Sequence, residues 1–256
     1  HAVFREFLLG EQRRVEPALV PKLHLRAADW YEANGSPALA LEHLLNTSER
    51  DRCVQLVTAL ALPTYQAGQM STLQRWLAAL GDAAIEEYPP LAVLAGWVAA
   101  LTGQTVEAER WAAILDAASF DLVPADGSAS FASARAMLRA MMCASGPEQA
   151  LADASFAVSE EPPWSAWRDQ ALALAGEAQL LAGDPDRAEA LFLESLRVEP
   201  DYYPALHRLG TIRAVMGRYA EAVHYSERAV ASEPRAVWVR EMLSMGYLEL
   251  NDPEAA

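Results

Sequence analysis

Residues 167–200, WRDQALALAGEAQLLAGDPDRAEALFLESLRVEP, and residues 201–234, DYYPALHRLGTIRAVMGRYAEAVHYSERAVASEP, decide the fold. Laid over one another they match at Gly176 and Gly210, Gly183 and Gly217, Ala188 and Ala222, and Pro200 and Pro234, each pair 34 positions apart. Four coincidences at one period mark an internal repeat. In each copy, small and apolar residues at helical spacing run to a turn, Gly183-Asp184-Pro185 or Gly217-Arg218-Tyr219. A second helical stretch then ends at Glu199-Pro200 or Glu233-Pro234. The unit is a helix, a turn and a helix.

These residues resemble the tetratricopeptide repeat (TPR). Gly210, Gly217, Ala222, Ala229 and Pro234 occupy its middle small residue, turn glycine, early and late second-helix small residues and closing proline. Gly176, Gly183, Ala188 and Pro200 do the same, with Ser195 in the remaining small place. Small side chains let the helices of a hairpin approach closely, and Phe192, Tyr219 or Tyr225 fills the gap to the next hairpin.

Working outward, Gly96, Gly103 and Ala108 repeat the spacing, as do Ala28, Tyr31, Gly35 and Ala40. Met137 to Glu160 reads as a hairpin turning at Ser145-Gly146-Pro147 and closing at Pro162. Asp51 to Leu80 reads as another, turning near Gly68 and interrupted by Pro63. Ala236 to Leu250 begins one more first helix, with the repeat cut at Ala256. The expected fold is all-α: a TPR-like right-handed superhelical solenoid of about seven helix hairpins, essentially continuous over 21–256, with no competing strand pattern.

The 256 residues carry 35 acidic and 20 basic side chains, a formal charge of −15, and are 52% hydrophobic, which fits a folded repeat stack and excludes wholesale disorder. The longest apolar run, Leu91 to Leu101, is shorter than the roughly 20 residues of a membrane-spanning helix. Two cysteines, Cys53 and Cys143, favour a reducing compartment, and the expected localisation is cytoplasmic. With no initiator Met and no signal-peptide pattern, the chain reads as part of a longer protein. Its acidic field repels phosphate backbones, which argues against direct nucleic-acid binding.

The inventory also argues against an enzyme. Lys22 is the only lysine and follows Pro21, so no phosphate-binding GxxxxGK[ST] loop exists. The five histidines never form HExxH, and the cysteines are too far apart for a zinc knuckle, so no metal site is expected. Gly127-Ser128-Ala129-Ser130 lacks the second glycine of a nucleophile elbow and reads as a loop. The acidic pairs Glu86-Glu87 and Glu160-Glu161 each end a helix before proline and read as solvated surface, not as acid/base carboxylates.

A second resemblance bears on function. Phe4-Arg5-Glu6-Phe7-Leu8-Leu9 is followed by Leu23-His24-Leu25-Arg26-Ala27-Ala28-Asp29-Trp30-Tyr31, Asn34-Gly35 and Ala40-Leu41-Glu42-His43-Leu44. With Tyr88-Pro89-Pro90-Leu91 and the stretch from Trp97 to Trp111, these resemble the junction and sensor of large ATP-dependent LuxR-family transcriptional regulators of the signal-transduction ATPase class (MalT-like). The resemblance implies that residues 1–20 are the end of a winged-helix domain and a linker helix. It also implies that 21–256 is a helical-repeat sensor, with ATP bound in an upstream domain and DNA by a downstream one. No cofactor is expected in this segment. Residues 166–256 look more like generic TPR units than like this family. The alternative is therefore a TPR interaction scaffold attached to a different effector, such as a kinase or cyclase.

In such arrays the first helices of successive hairpins line a concave groove that receives a peptide, protein or small-molecule inducer. The repeat template projects Trp97, Arg135, Arg139, Gln170, Glu177, His207, Arg208, Thr211, Trp238 and Glu241 toward it. Aromatic faces beside arginine and polar groups suit either a sugar-like ligand or a peptide. Each has a plainer reading. Trp97 can be core, His207 and Arg208 can hold local ion pairs, and Arg135 and Arg139, four apart, can solvate one helix face. Trp164 and Trp167 start a helix by packing on the preceding hairpin, Met137, Met141 and Met142 fill the core, and His24 and His43 are structural.

Overall fold

The computed structural model describes residues 10, 14–16, 18–234 and 237–250, without the side chains of 237–239. Most of the winged-helix stretch expected at 1–20 lies outside the described residues. Contacts divide the chain into two compact units, His1–Gly127 and Ser128–Ala256. Among the described residues every regular element is a helix.

The first unit holds α1 (Leu19–Ala33), α2 (Pro37–Leu44), α3 (Arg50–Gln66), α4 (Met70–Leu80), the short α5 (Asp82–Glu87), α6 (Pro89–Leu101) and α7 (Thr105–Ala117). Helices α1 with α2, α3 with α4 and α6 with α7 form antiparallel hairpins. The connections differ from one another: α5 is inserted before the third hairpin, and residues 118–127 form an irregular segment after it. Pro63, read from the sequence as an interruption, lies inside the last turn of α3. The missing proline N–H removes one bond of the ladder, but the Pro63 carbonyl accepts from Ala67 N at 3.1 Å and closes the next turn.

The second unit holds α8 (Phe131–Met142), α9 (Pro147–Glu160), α10 (Arg168–Leu181), α11 (Pro185–Val198), α12 (Tyr203–Val215), α13 (Tyr219–Ser232) and α14 (Val237–Glu249). Helices α8 to α13 make three hairpins and α14 packs on α13. The 34-residue period has a direct physical basis. At the turns, Gly183 and Gly217 have φ of 84° and 73°, the left-handed conformation that glycine adopts without a Cβ penalty. There the amides of Asp184 and Arg218 reach back to the carbonyls of Gln179 and Arg213 at 2.9 and 2.8 Å, ending α10 and α12 as Schellman turns. In mid-helix, a Cβ on Gly176 would sit 2.7 Å from the ring of Phe192, and one on Gly210 would sit 3.0 Å from Ser226 Oγ. Those glycines set how closely the two helices of each hairpin approach. Phe192 is wholly buried, clustered with Ala173, Ala188, Ala205 and Leu209, and Tyr225 packs on the same cluster.

Two expectations from the sequence are corrected. Glu161 is not solvated surface: it is 1% exposed. Its carboxylate accepts the Ala129 amide at 3.1 and 3.2 Å and the hydroxyls of Ser133 and Ser165. The chain preceding α8 returns over the end of α9, and a buried carboxylate so supplied with donors is satisfied in place. Trp164, expected to pack on the preceding hairpin, is 85% exposed. It sits in the turn closed by Ser165 N to Pro162 O at 2.9 Å, and α10 begins only at Arg168.

Candidate functional site

Five of the projected groove residues come together on the first helices α10 and α12. The Tyr202 hydroxyl, just before α12, donates to Gln170 Oε1, and Arg208 Nε donates to the Glu177 carboxylate. Thr211 Oγ1 donates to the His207 carbonyl at 3.0 Å. His207 Nδ1 is shut off from solvent with no hydrogen-bond partner. Burial, and secondarily the adjacent Arg208, pushes the imidazole below its ordinary pKa, so it is neutral near pH 7. The face is a row of partly buried polar groups of which two pairs, Tyr202 with Gln170 and Arg208 with Glu177, cross a repeat interface, where a half-exposed ion pair adds little stability.

The other projected residues do not join this row. Arg135 and Arg139 lie on α8, the Arg135 guanidinium 5.5 Å from the centre of the Phe131 ring and Arg139 Nε 3.2 Å from Asp153 Oδ2 of α9. Trp97, on α6 of the first unit, is partly buried, and Glu241 on α14 is exposed. The side chain of Trp238 lies outside the described residues.

A recess that the repeat template did not indicate lies in the first unit. A cavity of about 420 Å³ opens between α1, α3, the start of α6 and the segment 118–127. Leu56 and Ala59 of α3 and Phe120, Leu122 and Val123 of the segment give it apolar walls. Leu122 and Val123 are 73% and 76% exposed, which is unusual for neighbouring large aliphatic residues. At the polar end, Arg52 of α3 bridges to Asp29 at 2.9 Å and to Glu32, both on α1, with Gln55 beside it. Tyr88 closes the far side, its ring meeting Phe120 edge-on at 5.2 Å. The Ala125 amide hydrogen-bonds its hydroxyl, and burial, with Asp126 nearby, raises its pKa. The volume lies within the range of roughly 300–1,000 Å³ typical of small-molecule sites.

The sequence carried one signal for this recess. The stretch Phe120-Asp121-Leu122-Val123 places large apolar residues in a connection too irregular to be a TPR turn. His24 and His43, expected to be structural, meet at 3.0 Å between their Nδ1 atoms, with Tyr31 stacked on His43 at 5.5 Å. Among the described residues no group of three or more His, Cys, Asp or Glu side chains is arranged to hold a metal ion, and no helix is long and apolar enough to cross a membrane.

No protein-family model matches the chain. A stretch of 99 residues is 27% identical to the HTH-type transcriptional regulator MalT of Vibrio parahaemolyticus serotype O3:K6 (strain RIMD 2210633), covering 39% of this chain and 11% of that protein. The chain thus spans a small fraction of this relative's length. Among solved structures, a thermophilic TPR protein of Thermus thermophilus superposes with a TM-score of 0.53 at 18% identity, covering 76% of this chain and 99% of that one. The Cut9–Hcn1 hetero-tetramer of the APC/C contains a chain that superposes with a TM-score of 0.59 at 10% identity, covering 93% of this chain and 44% of its own. At these identities the likeness establishes the fold: an all-helical, TPR-like repeat protein.

Proposed function

We propose that this chain is the ligand- or partner-binding sensor segment of an ATP-dependent LuxR-type transcriptional regulator, non-catalytic itself, with ATP and DNA handled by other domains of the parent protein. The observation that carries the binding role is the cavity of about 420 Å³ between α1, α3, Tyr88 and the segment 118–127 of the first unit. Tyr88, which lines it, and Asp29, which pairs with Arg52 at its polar end, belong to the stretches that resemble the junction and sensor of those regulators. The 27% identity to MalT over 99 residues supports the same assignment. For such a segment to regulate, its ligand must bind one arrangement of the parent protein more tightly than another, since a ligand of equal affinity for both shifts nothing.

A second reading is a TPR scaffold joined to a different effector. The α10–α12 face favours it: Glu177, Arg208, Gln170, Tyr202 and His207 form a polar row that suits an extended peptide. Thermal-shift screening of the purified chain against oligosaccharides, other metabolites and candidate peptides separates the two. A ligand at 100 times its Kd adds about 2.7 kcal/mol of stability. Stabilisation by a small molecule that Leu56→Trp abolishes supports the sensor reading. Stabilisation only by a peptide or partner protein, sensitive to His207 and Arg208 substitutions, supports the scaffold and removes the reading as a sensor of a small-molecule inducer.

A further inference from the structure

We propose that the cavity of the first unit takes an amphipathic organic cation, an ammonium or guanidinium group carried on an aromatic or aliphatic body. This rests on the sensor reading and names the chemical class of its ligand.

The apolar part follows from the walls. Leu56, Ala59, Phe120 and Val123 offer a surface with no hydrogen-bonding side chain, and about 420 Å³ accommodates a body the size of a substituted phenyl ring. The exposed faces of Leu122 and Val123 at the mouth gain from being covered, at about 25 cal/mol per Å² of apolar surface removed from water.

The positive charge follows from the electrostatics at the polar end. Arg52 is the one cation among the lining residues, and it is already shared between Asp29 and Glu32. Both carboxylates meet its Nη2, so the polar end carries two negative charges against one positive and is net negative. The segment 118–127 also carries Asp121 and Asp126, the latter close enough to raise the pKa of Tyr88, so the chain beside the recess adds negative charge. Glu32 and Arg52 are the charged residues of the lining, and Asp29 beside them leaves that end with an excess of one negative charge. The Tyr88 and Phe120 rings, set edge to face, present a π-surface that attracts a cation within about 6 Å. The formal charge of −15 on the whole chain steers cations toward it and anions away.

The test uses three probes with one body and three head groups: 4-phenylbutylamine, 4-phenylbutanol and 4-phenylbutyrate, titrated calorimetrically into the whole chain at low salt. The amine is expected to bind about tenfold more tightly than the alcohol, a difference of about 1.4 kcal/mol, with the carboxylate weakest. Leu56→Trp, which fills the cavity, is expected to abolish amine binding. Val123→Arg, which puts a positive charge at the mouth and removes part of the apolar wall, is expected to weaken the amine by a larger factor than the alcohol. Equal binding of amine and alcohol, preference for the carboxylate, binding unaffected by Leu56→Trp and Val123→Arg, or no binding of any probe at millimolar concentration would each overturn the proposal. If the probes fail while an oligosaccharide stabilises the protein through the same cavity, the cation assignment falls and the sensor reading stands. If Leu56→Trp alters the response to no ligand at all, both fall.

Discussion

The two units build the same hairpin with different consequences. In the second, Phe192 fills the space over Gly176 and Ser226 meets Gly210, and on the first-helix face Tyr202 pairs with Gln170 and Arg208 with Glu177. In the first, α5 and the segment 118–127 break the period, and the apolar residues of that segment wall a cavity. Regular repeats bury their apolar side chains on their neighbours, whereas an irregular connection leaves apolar surface facing a recess. A small-molecule site in a repeat protein is therefore to be sought where the period fails.

The contrast is challenged hardest by emptying the filled gap. Phe192→Ala is expected to destabilise the second unit by about 4 kcal/mol, read by urea denaturation followed by circular dichroism. A loss under about 1 kcal/mol would mean that Phe192 is not the element joining successive hairpins. Glu161→Gln is expected to cost about 3 kcal/mol, because the amide replaces a buried carboxylate that accepts from three donors, the Ala129 amide and the Ser133 and Ser165 hydroxyls. An unchanged denaturation midpoint would contradict the buried arrangement. In the first unit, by contrast, Leu56→Trp enters open space and is expected to change stability by under about 1 kcal/mol while removing ligand binding. A large loss of stability would show that the cavity wall is structural core.

The pH response separates the packed unit from the open one in another way. His207 has a folded-state pKa below its ordinary value, so the unfolded chain takes up the proton first as the pH falls. Its contribution is fully present above the unfolded pKa of about 6.5 and is lost below it. Thermal melts between about pH 7.5 and pH 5.5 should therefore show a steeper decline in the wild type than in His207→Gln. Parallel declines would contradict a buried neutral imidazole. The weakest response is expected at Trp164, whose exposure of 85% predicts that Trp164→Ser changes stability by no more than about 0.5 kcal/mol. A larger drop would mean that it packs against something in solution.

Much of the fold was legible because its determinants are local. Gly183 and Gly217 set left-handed turns, Gly176 and Gly210 permit close approach, and a chain that needs these residues at fixed offsets shows them as a period. The same template located Gln170, Glu177, His207, Arg208 and Thr211 on one pair of first helices. What escaped the sequence depends on chain that arrives from elsewhere. Glu161 looks like one of a pair of surface carboxylates until Ala129 and Ser133, about thirty residues earlier, close over it. Trp164 follows the opposite course, since a turn of two prolines holds an aromatic residue off the hairpin that its hydrophobicity would favour. The cavity escaped for the same reason: Phe120, Leu122 and Val123 carry no helical periodicity, and their opposition to Leu56 and Tyr88 is a product of the folded unit.

Amide hydrogen exchange, measured with and without saturating 4-phenylbutylamine, decides whether binding belongs to the first unit. Slowed exchange in α3 and in residues 118–127, with α10 and α12 unchanged, is the predicted result. Protection confined to α10 and α12, or spread over neither unit, would contradict it.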